Sequence, residues 1–556
     1  MENNIKIFGL GGLDELGKNM YVIEIDNDIF IIDAGHKVPI SSDRLGVELI
    51  IPDLNYLIEN KKRVKAIFIT KGQQDNIGAL PYLLKNINVP VYTTPLTAKL
   101  ISKLLLKHNI KSIKLNILKR NQTFVIDKYT CETFPVTQSM PDGFGIAIKS
   151  RFGYIVYTSD FLVDYNNTNE FFESDMSKFA QIGKAGVFAL LSESRGTLNT
   201  GYTAPKHKIT NIIETYFENI NGRLFFTIYK QNIFRLIEII ELCKKYKIRM
   251  HFHNDDQLEL LETINNLGYY KIPKDLIINV EEFSSAESDV VCIVTGTGER
   301  AFKRMHKIAI REDENIDLRE SDIVIIASPA AYETEIAATN MENDLFKENV
   351  KVVTINPKLV LSMHASIEDI KMMLYLLKPK YFIPINGEYR HLVAGANLAL
   401  EMKLTPDRII ILDNGQIAYF EKGRLLRTSD TLQLNEQLID GNEKLDVGGL
   451  VLKDREILSS DGVIVIGIVI NHKTKEVIGG PDIQSRGVIY LKEADYIIKK
   501  ISDIIINEIN VAKENNNFEN IQVRLNSRDK ISRYLLKETG KKPMVLPAII
   551  EINEGK

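Results

Sequence analysis

Cysteine is scarce: Cys131, Cys243 and Cys292 are the only three in 556 residues. They stand too far apart to read as a disulfide framework or a zinc ribbon, and that usage fits a reducing compartment. Long apolar runs are also missing. The longest unbroken apolar-plus-glycine stretch, 462–470, falls well short of the roughly 20 residues a spanning helix needs, and no signal-peptide pattern precedes the first expected strand at 5–8. Charge of one sign is lacking too. A formal net charge of −3 gives no global attraction for nucleic acid, so any such binding must come from a local basic groove. Internal repeats and low-complexity tracts are absent. What these absences leave is a cytoplasmic protein with no membrane contact. Its 44% hydrophobic and 26% charged residues are ordinary for a globular chain, and its length asks for about two to four domains.

One stretch, 67–78, organises the rest. An apolar strand expected over 64–70 runs into a tight loop, Lys71-Gly72-Gln73-Gln74-Asp75-Asn76, with a helix expected from about 79. In hydrolases that hold two metal ions, an H-x-H-x-D-H loop fills such a place. Its alternating histidines bind one ion and its Asp-His pair the other. Here Lys71, Gln73 and Asn76 occupy the histidine positions, and only Asp75 keeps its type.

Elsewhere, polar residues keep falling at the ends of apolar strands, where α/β sandwiches place their sites. Strands around the Gly11–Gly17 turn end at Asp33-Ala34-Gly35. Thr94-Pro95 reads as an N-cap with proline at N1, opening a helix over 96–106. Strands at 123–136 and 144–148 bracket Thr137-Gln138-Ser139, and a strand at 154–157 ends at Thr158-Ser159-Asp160. From about 205, strands at 224–228, 249–252, 290–294, 322–327 and 350–355 alternate with helices. That pattern predicts an inserted domain with a parallel sheet. After 381–388 a polar linker leads to a last α+β unit of about 100 residues, a size that folds by itself. In it we expect strands at 462–470, 487–491, 521–525 and 544–552, and helices at 493–511 and 530–537. The 493–511 helix carries Ile498, Ile501, Ile505 and Ile509, with Ile497 and Ile504 beside them, as a core stripe.

With these pieces located, the chain resembles the ribonuclease J family. The resemblance rests on 11–20, 30–35, 47–57, 78–82, 139–148, 376–391, 409–415, 449–455 and Gly480-Pro481-Asp482-Ile483-Gln484-Ser485-Arg486-Gly487. It is nearest to the second, catalytically degenerate bacterial paralogue that partners an active one. The implied fold class is α/β: a metallo-β-lactamase αββα sandwich with an inserted β-CASP parallel-sheet domain and a C-terminal α+β association domain. The corresponding boundaries are 1–204 and 366–430 for the sandwich, 205–365 for β-CASP, 431–449 for a linker and 450–556 for the last domain. The family acts in RNA processing and decay as an endonuclease and 5′-3′ exoribonuclease using two zinc ions.

Carried over residue by residue, the resemblance fails mostly at the metal. Lys71, Gln73, Asn76, Gln138 and Asn386 replace five histidine ligands, while Asp75 and Asp160 survive. Glu193 takes the family's acidic position, and His364 matches the histidine that approaches the scissile phosphate. Remnant catalytic residues are therefore Asp75, Asp160 and His364. RNA contacts are implied at Lys230, Gln231 and Asn232 and at Ser362, Met363, His364 and Ser366. Thr295-Gly296-Thr297-Gly298-Glu299-Arg300 matches a family segment but is shorter. His251 and His253 lack a third ligand and read as structural.

The losses are large in energy. A catalytic ion pulls the pKa of its bound water from about 15.7 to about 7, so its removal forfeits about 12 kcal/mol in making the nucleophile. Amides are poor zinc ligands, and a Lys71 ammonium repels a dication. We expect Lys71 to neutralise Asp75 and Asp160 in place of the ions, and we expect no cofactor. The chain then acts as an RNA-binding subunit with weak or absent hydrolysis, binding single-stranded RNA and forming a homodimer or a hetero-oligomer with an active paralogue. Two alternatives stay open. One is an active ribonuclease with a single Mg or Mn ion held by Asp75, Asp160, Asn76 and Asn386. The other is a structural scaffold only.

Overall fold

The computed structural model describes residues 4–39, 47–111, 113–167, 169–331, 334–440, 443–444, 450–488, 495–515 and 517–553. They fall into two compact units, the first formed by the residues before 42 and by 49–437, the second by 47–48 and the residues from 438 onward.

The first unit is built on two sheets. One runs Arg424–Arg427, Ala418–Glu421, Asn4–Gly11, Met20–Ile25, Asp28–Ile32, Val64–Phe68, Val91–Thr93 and Leu115–Ile117 in spatial order. The other runs Tyr381–Ile385, Val187–Glu193, Gly153–Tyr157, Phe144–Ser150, Tyr129–Pro135 and Thr123–Ile126. Both are rich in β-branched and aromatic residues, the composition that fits a pleated, buried surface. Phe30, Ile32 and Phe68 from the first sheet meet Phe144, Ile146, Tyr157 and Ile383 from the second in one core. The helices Met176–Ala185 and Ile367–Leu377 cover the second sheet's outer face through Phe179, Ile182, Ile370 and Leu374.

Parallel pairing sets where the loops gather. Asp28–Ile32 pairs parallel with Val64–Phe68, and Val187–Glu193 pairs parallel with both Gly153–Tyr157 and Tyr381–Ile385. Their carboxyl ends deliver Asp33, Lys71, Asp160, Glu193 and Asn386. The inserted domain is a five-stranded, all-parallel sheet in the order Arg249–Phe252, Val290–Gly296, Arg223–Tyr229, Ile323–Ile326, Lys351–Thr354.

The helix Pro95–Lys107 has the expected proline at its start, but Thr94 does not cap it. Its hydroxyl donates to Asp142 (3.0 Å), and the Asp142 carboxylate takes the Leu96 N–H at 3.1 Å instead. The cap is supplied by a distant residue.

The second unit holds a three-stranded sheet, Val477–Arg486, Val463–Asn471 and Met544–Ile552, packed on the helices Asp495–Glu514 and Asn520–Thr539. Three expectations change here. The strand expected at 521–525 and the helix at 530–537 form one helix, because Val523, Ser527, Ile531 and Leu535 bury at helical spacing. Gly479-Gly480-Pro481, which the sequence predicts as a glycine-rich turn between the strands at 462–470 and 487–491, lies inside a strand. Of the strand expected at 487–491, Gly487 and Val488 are not in a strand, and the remainder lies outside the described residues. The buried helix stripe is Ile497, Ile501, Ile505 and Ile509, with Ile498 half-buried beside it. The expected linker is partly a strand, Gln437–Asp440, and 441–442 and 445–449 lie outside the described residues.

Candidate functional site

The loop after Val64–Phe68 is held down by backbone. Asp75 O accepts from Asn19 N (3.0 Å), and Asn76 O accepts from Ala34 N (2.7 Å). A side chain at Gly35 has no room, since its Cβ would lie 1.6 Å from the Asp75 carbonyl oxygen. From this loop Lys71 and Gln73 reach Asp160 and Ser139, which follow strands of the second sheet, while Asn76 reaches Asp33 at the end of a strand of the first.

Lys71 lies at the centre and is 1% exposed. Its ammonium donates to Gln73 Oε1 at 2.6 Å, forms a short ion pair with Asp160, and lies 3.8 Å from Asp75 Oδ2. Burial works against its charge, but Asp160 and Asp75 override that and push its pKa above the ordinary lysine value. Burial likewise works to raise Asp160, yet Lys71 and His364 hold this carboxyl below the usual range. Asn386 Nδ2 donates to Asp160 Oδ1 at 2.6 Å, and Gln73 Nε2 donates to Ser139 Oγ at 2.7 Å.

Asp33 is a member of this network that the sequence reading passed over. It accepts from Thr70 N (2.9 Å), Asn76 Nδ2 (2.7 Å) and Tyr157 Oη (2.7 Å). Complete burial pushes its carboxyl up to about 6 despite these donors. The available signal was its place at the mouth of a strand, in Asp33-Ala34-Gly35, with φ +61°.

On the other side of Asp160, Glu193 ends its strand buried. It accepts from Phe161 N (2.7 Å), Ala365 N (3.0 Å) and His364 Nδ1 (2.7 Å). Burial raises its carboxyl, opposed by His364. His364 Nδ1 is also 3.7 Å from Asp160 Oδ2. A carboxylate only accepts, so Nδ1 carries the proton, and among the described residues Nε2 has no hydrogen-bond partner.

The structure thus brings together Lys71, Gln73, Asp75, Asn76, Asp160, Asn386 and His364. It gives other sequence-derived candidates different surroundings. Ser366 is fully buried and forms a capping box with Asp369 at the start of Ile367–Leu377. Met363 packs into the hydrophobic core, while Ser362 is exposed. Lys230, Gln231 and Asn232 follow a strand of the inserted sheet. Lys230 is ion-paired to Asp256, and Asn232 caps Ile233–Tyr246 through Arg235 N (3.1 Å). His253 Nε2 bonds Asp313 at 2.7 Å and His251 Nδ1 lies 3.3 Å from Ile278 O, consistent with structural roles.

These donors do not fit a pair of zinc ions. An ammonium occupies the centre, and the Asn76 and Asn386 amides turn N–H groups toward carboxylates that would otherwise face a cation. The oxygen set expected for one hard ion is broken for the same reason. Among the described residues one cluster could hold an ion, Asp160, Glu193 and His364, with ligand atoms within 4.8 Å of one another. No helix among them is long and apolar enough to cross a membrane.

Comparison with known proteins gives this cleft its relatives. Ribonuclease J 2 of Staphylococcus epidermidis is 31% identical over 551 residues, covering 99% of this chain and 98% of that protein. The chain belongs to the ribonuclease J family. Ribonuclease J 2 of Staphylococcus aureus matches at the same identity and coverage. Sequence models of four families also match: the metallo-beta-lactamase superfamily over 13–146, the ribonuclease J beta-CASP domain over 221–345, the Zn-dependent metallo-hydrolase RNA specificity domain over 350–409, and the ribonuclease J C-terminal domain over 450–552. A solved Enterococcus faecalis protein of unknown function shares the fold, with TM-score 0.52 and 16% identity over 75% of this chain and all of its own. At the centre of this chain's cleft the charge between the carboxylates is supplied by an internal cation, Lys71.

Proposed function

We propose that this chain is an RNA-binding subunit of a ribonuclease J assembly, with little or no hydrolysis of its own, working beside an active paralogue. The observation that carries this reading is the Lys71 ammonium paired to Asp160 at the centre of the cleft. A site that supplies its own cation has lost the charge vacancy that would draw in a metal ion, and with it the route to hydroxide at neutral pH. The boundaries of the sandwich, the β-CASP insertion and the last domain are proposed as 1–204 with 366–430, 205–365 and 450–556. The cytoplasm is the proposed compartment.

The test is metal analysis of the purified protein, cleavage of 5′-monophosphorylated RNA, and co-purification with a second ribonuclease J chain. Substoichiometric metal, binding without cleavage and a co-purifying partner support the reading. A second reading has one observation in its favour, the Asp160, Glu193 and His364 cluster. It describes a nuclease holding a single Mg or Mn ion. Stoichiometric metal, with activity lost in Asp160→Ala, selects it over the first.

A further inference from the structure

Arg195 was not marked out by the sequence. It follows Glu193 and Ser194 directly, in a turn closed by Thr197 N donating to Ser194 O at 3.0 Å. That turn is wedged into the cleft. Ser194 Oγ donates to Ile385 O at 2.6 Å, one residue before Asn386. A Cβ built at Gly196 would lie 2.3 Å from the carbonyl oxygen of Ala365, the neighbour of His364. Arg195 is therefore positioned between the His364 loop and the Asn386 loop. It is half-buried, and among the described residues its guanidinium has neither a hydrogen bond nor an ion pair. Its charge is felt by Asp160, whose carboxyl it helps to hold down, and by His391, whose protonation it opposes.

A half-buried arginine with no partner is unusual, because the planar fork is normally matched to a carboxylate or phosphate. The nearby carboxylates are already answered: Lys71 pairs with Asp160, and His364 and two backbone N–H groups satisfy Glu193. A guanidinium without a partner among the described residues is thus carried on a turn packed against the His364 loop, at the carboxyl ends of two parallel strands, and His364 Nε2 is likewise without a hydrogen-bond partner among them.

We propose that Arg195, together with His364 Nε2, binds a phosphodiester of single-stranded RNA at the mouth of this cleft without any metal ion. This deepens the proposed function and rests on it. Where two ions would have drawn the phosphate, one guanidinium now does so, and the phosphate is held beside groups that generate no nucleophile.

The test uses the full-length protein, a fluorescently labelled single-stranded oligoribonucleotide and excess EDTA, with Kd read by anisotropy across a salt series. Wild-type protein is expected to bind with chelator present. Arg195→Ala should weaken binding about ten-fold and flatten the slope of log K against log salt by about 0.7, the value of one phosphate contact on a single strand. Arg195→Lys keeps the charge, so it should keep the slope while losing affinity. Arg195→Gln, which preserves the stem, guards against a packing defect and should behave like the alanine variant. If the alanine and glutamine variants match wild type in both Kd and slope, this proposal is overturned and the RNA-binding reading stands. If wild-type protein fails to bind RNA, or binds only with added metal, both fall together.

Discussion

Replacing Lys71 by methionine tests the central ion pair. Methionine has nearly the same volume and no charge, so the change isolates the electrostatics. At an effective dielectric of about 20, two unit charges in contact are worth about 4 kcal/mol. Asp75 is 27% exposed and 3.8 Å away, so solvent screening leaves its share at no more than about 1 kcal/mol. Most of the loss comes from Asp160, buried and left with the Asn386 amide donor and His364 at 3.7 Å. Removing one partner of such a pair costs about 3–5 kcal/mol, and we expect Lys71→Met to lose that much at pH 7.5 in urea unfolding followed by far-UV circular dichroism. The pH dependence has a definite sign. Lys71 lowers the folded-state pKa of Asp160, so its stabilisation is present above the ordinary carboxylate range and is lost as pH falls through it. In the variant the buried acid takes up a proton instead, so the gap to wild type narrows as pH falls toward about 5. Adding Asp160→Asn should recover part of the loss, since the amide oxygen still accepts from Asn386. A Lys71→Met variant within about 0.5 kcal/mol of wild type, or a double variant no better than the single one, refutes the reasoning.

Glu193→Ala should cost about 3 kcal/mol or more by leaving two buried N–H groups and His364 without their acceptor, visible in the same unfolding assay. Gly35→Ala drives a methyl into the Asp75 carbonyl and should lower Tm by several degrees, at a cost of about 1–3 kcal/mol. Burial raises the Asp142 carboxyl to about 6. It therefore favours the fold most below the unfolded carboxylate range, and this contribution is lost as pH rises to about 6. Tyr269→Phe, which removes the 2.7 Å donor to that carboxylate, should cost about 1.5–3 kcal/mol at pH 7.5 and less at pH 5, as measured by Tm at the two values. Ile501→Ala in the second unit's core should cost about 2–5 kcal/mol.

Much of this molecule is legible along the chain. Alternating strands and helices from 223 onward require a parallel sheet, because each strand's apolar run must be covered on both faces. Strand ends are marked by the polar residues that follow them, and the family resemblance implied that Asp75, Asp160 and Asn386 share one cleft. That no histidine stands at 71, 73, 76, 138 or 386 is likewise a fact of composition, and amides and an ammonium are poor zinc ligands. Local pattern misled where a core chose otherwise. The β-branched Ile521 and Val523 read as strand, but a helical stripe buries better against Asp495–Glu514. Ser366 and Met363 read as contacts, yet backbone capping and apolar packing claim them.

Other features exist only in three dimensions. Asp142 caps a helix that begins 47 residues before it, and Asp33 collects donors from Thr70, Asn76 and Tyr157. No local pattern announces the first, and a strand-end position alone does not reveal the donors of the second. Arg195 is one arginine among many until folding places it between the His364 and Asn386 loops with no carboxylate ion-paired to it among the described residues. Residue chemistry decided by itself that no imidazole stands at these positions, because ligand identity is a property of side chains. Which cation fills the space, and which is left free at its mouth, was decided by tertiary structure, because charge pairing depends on distances that only the closed sandwich sets.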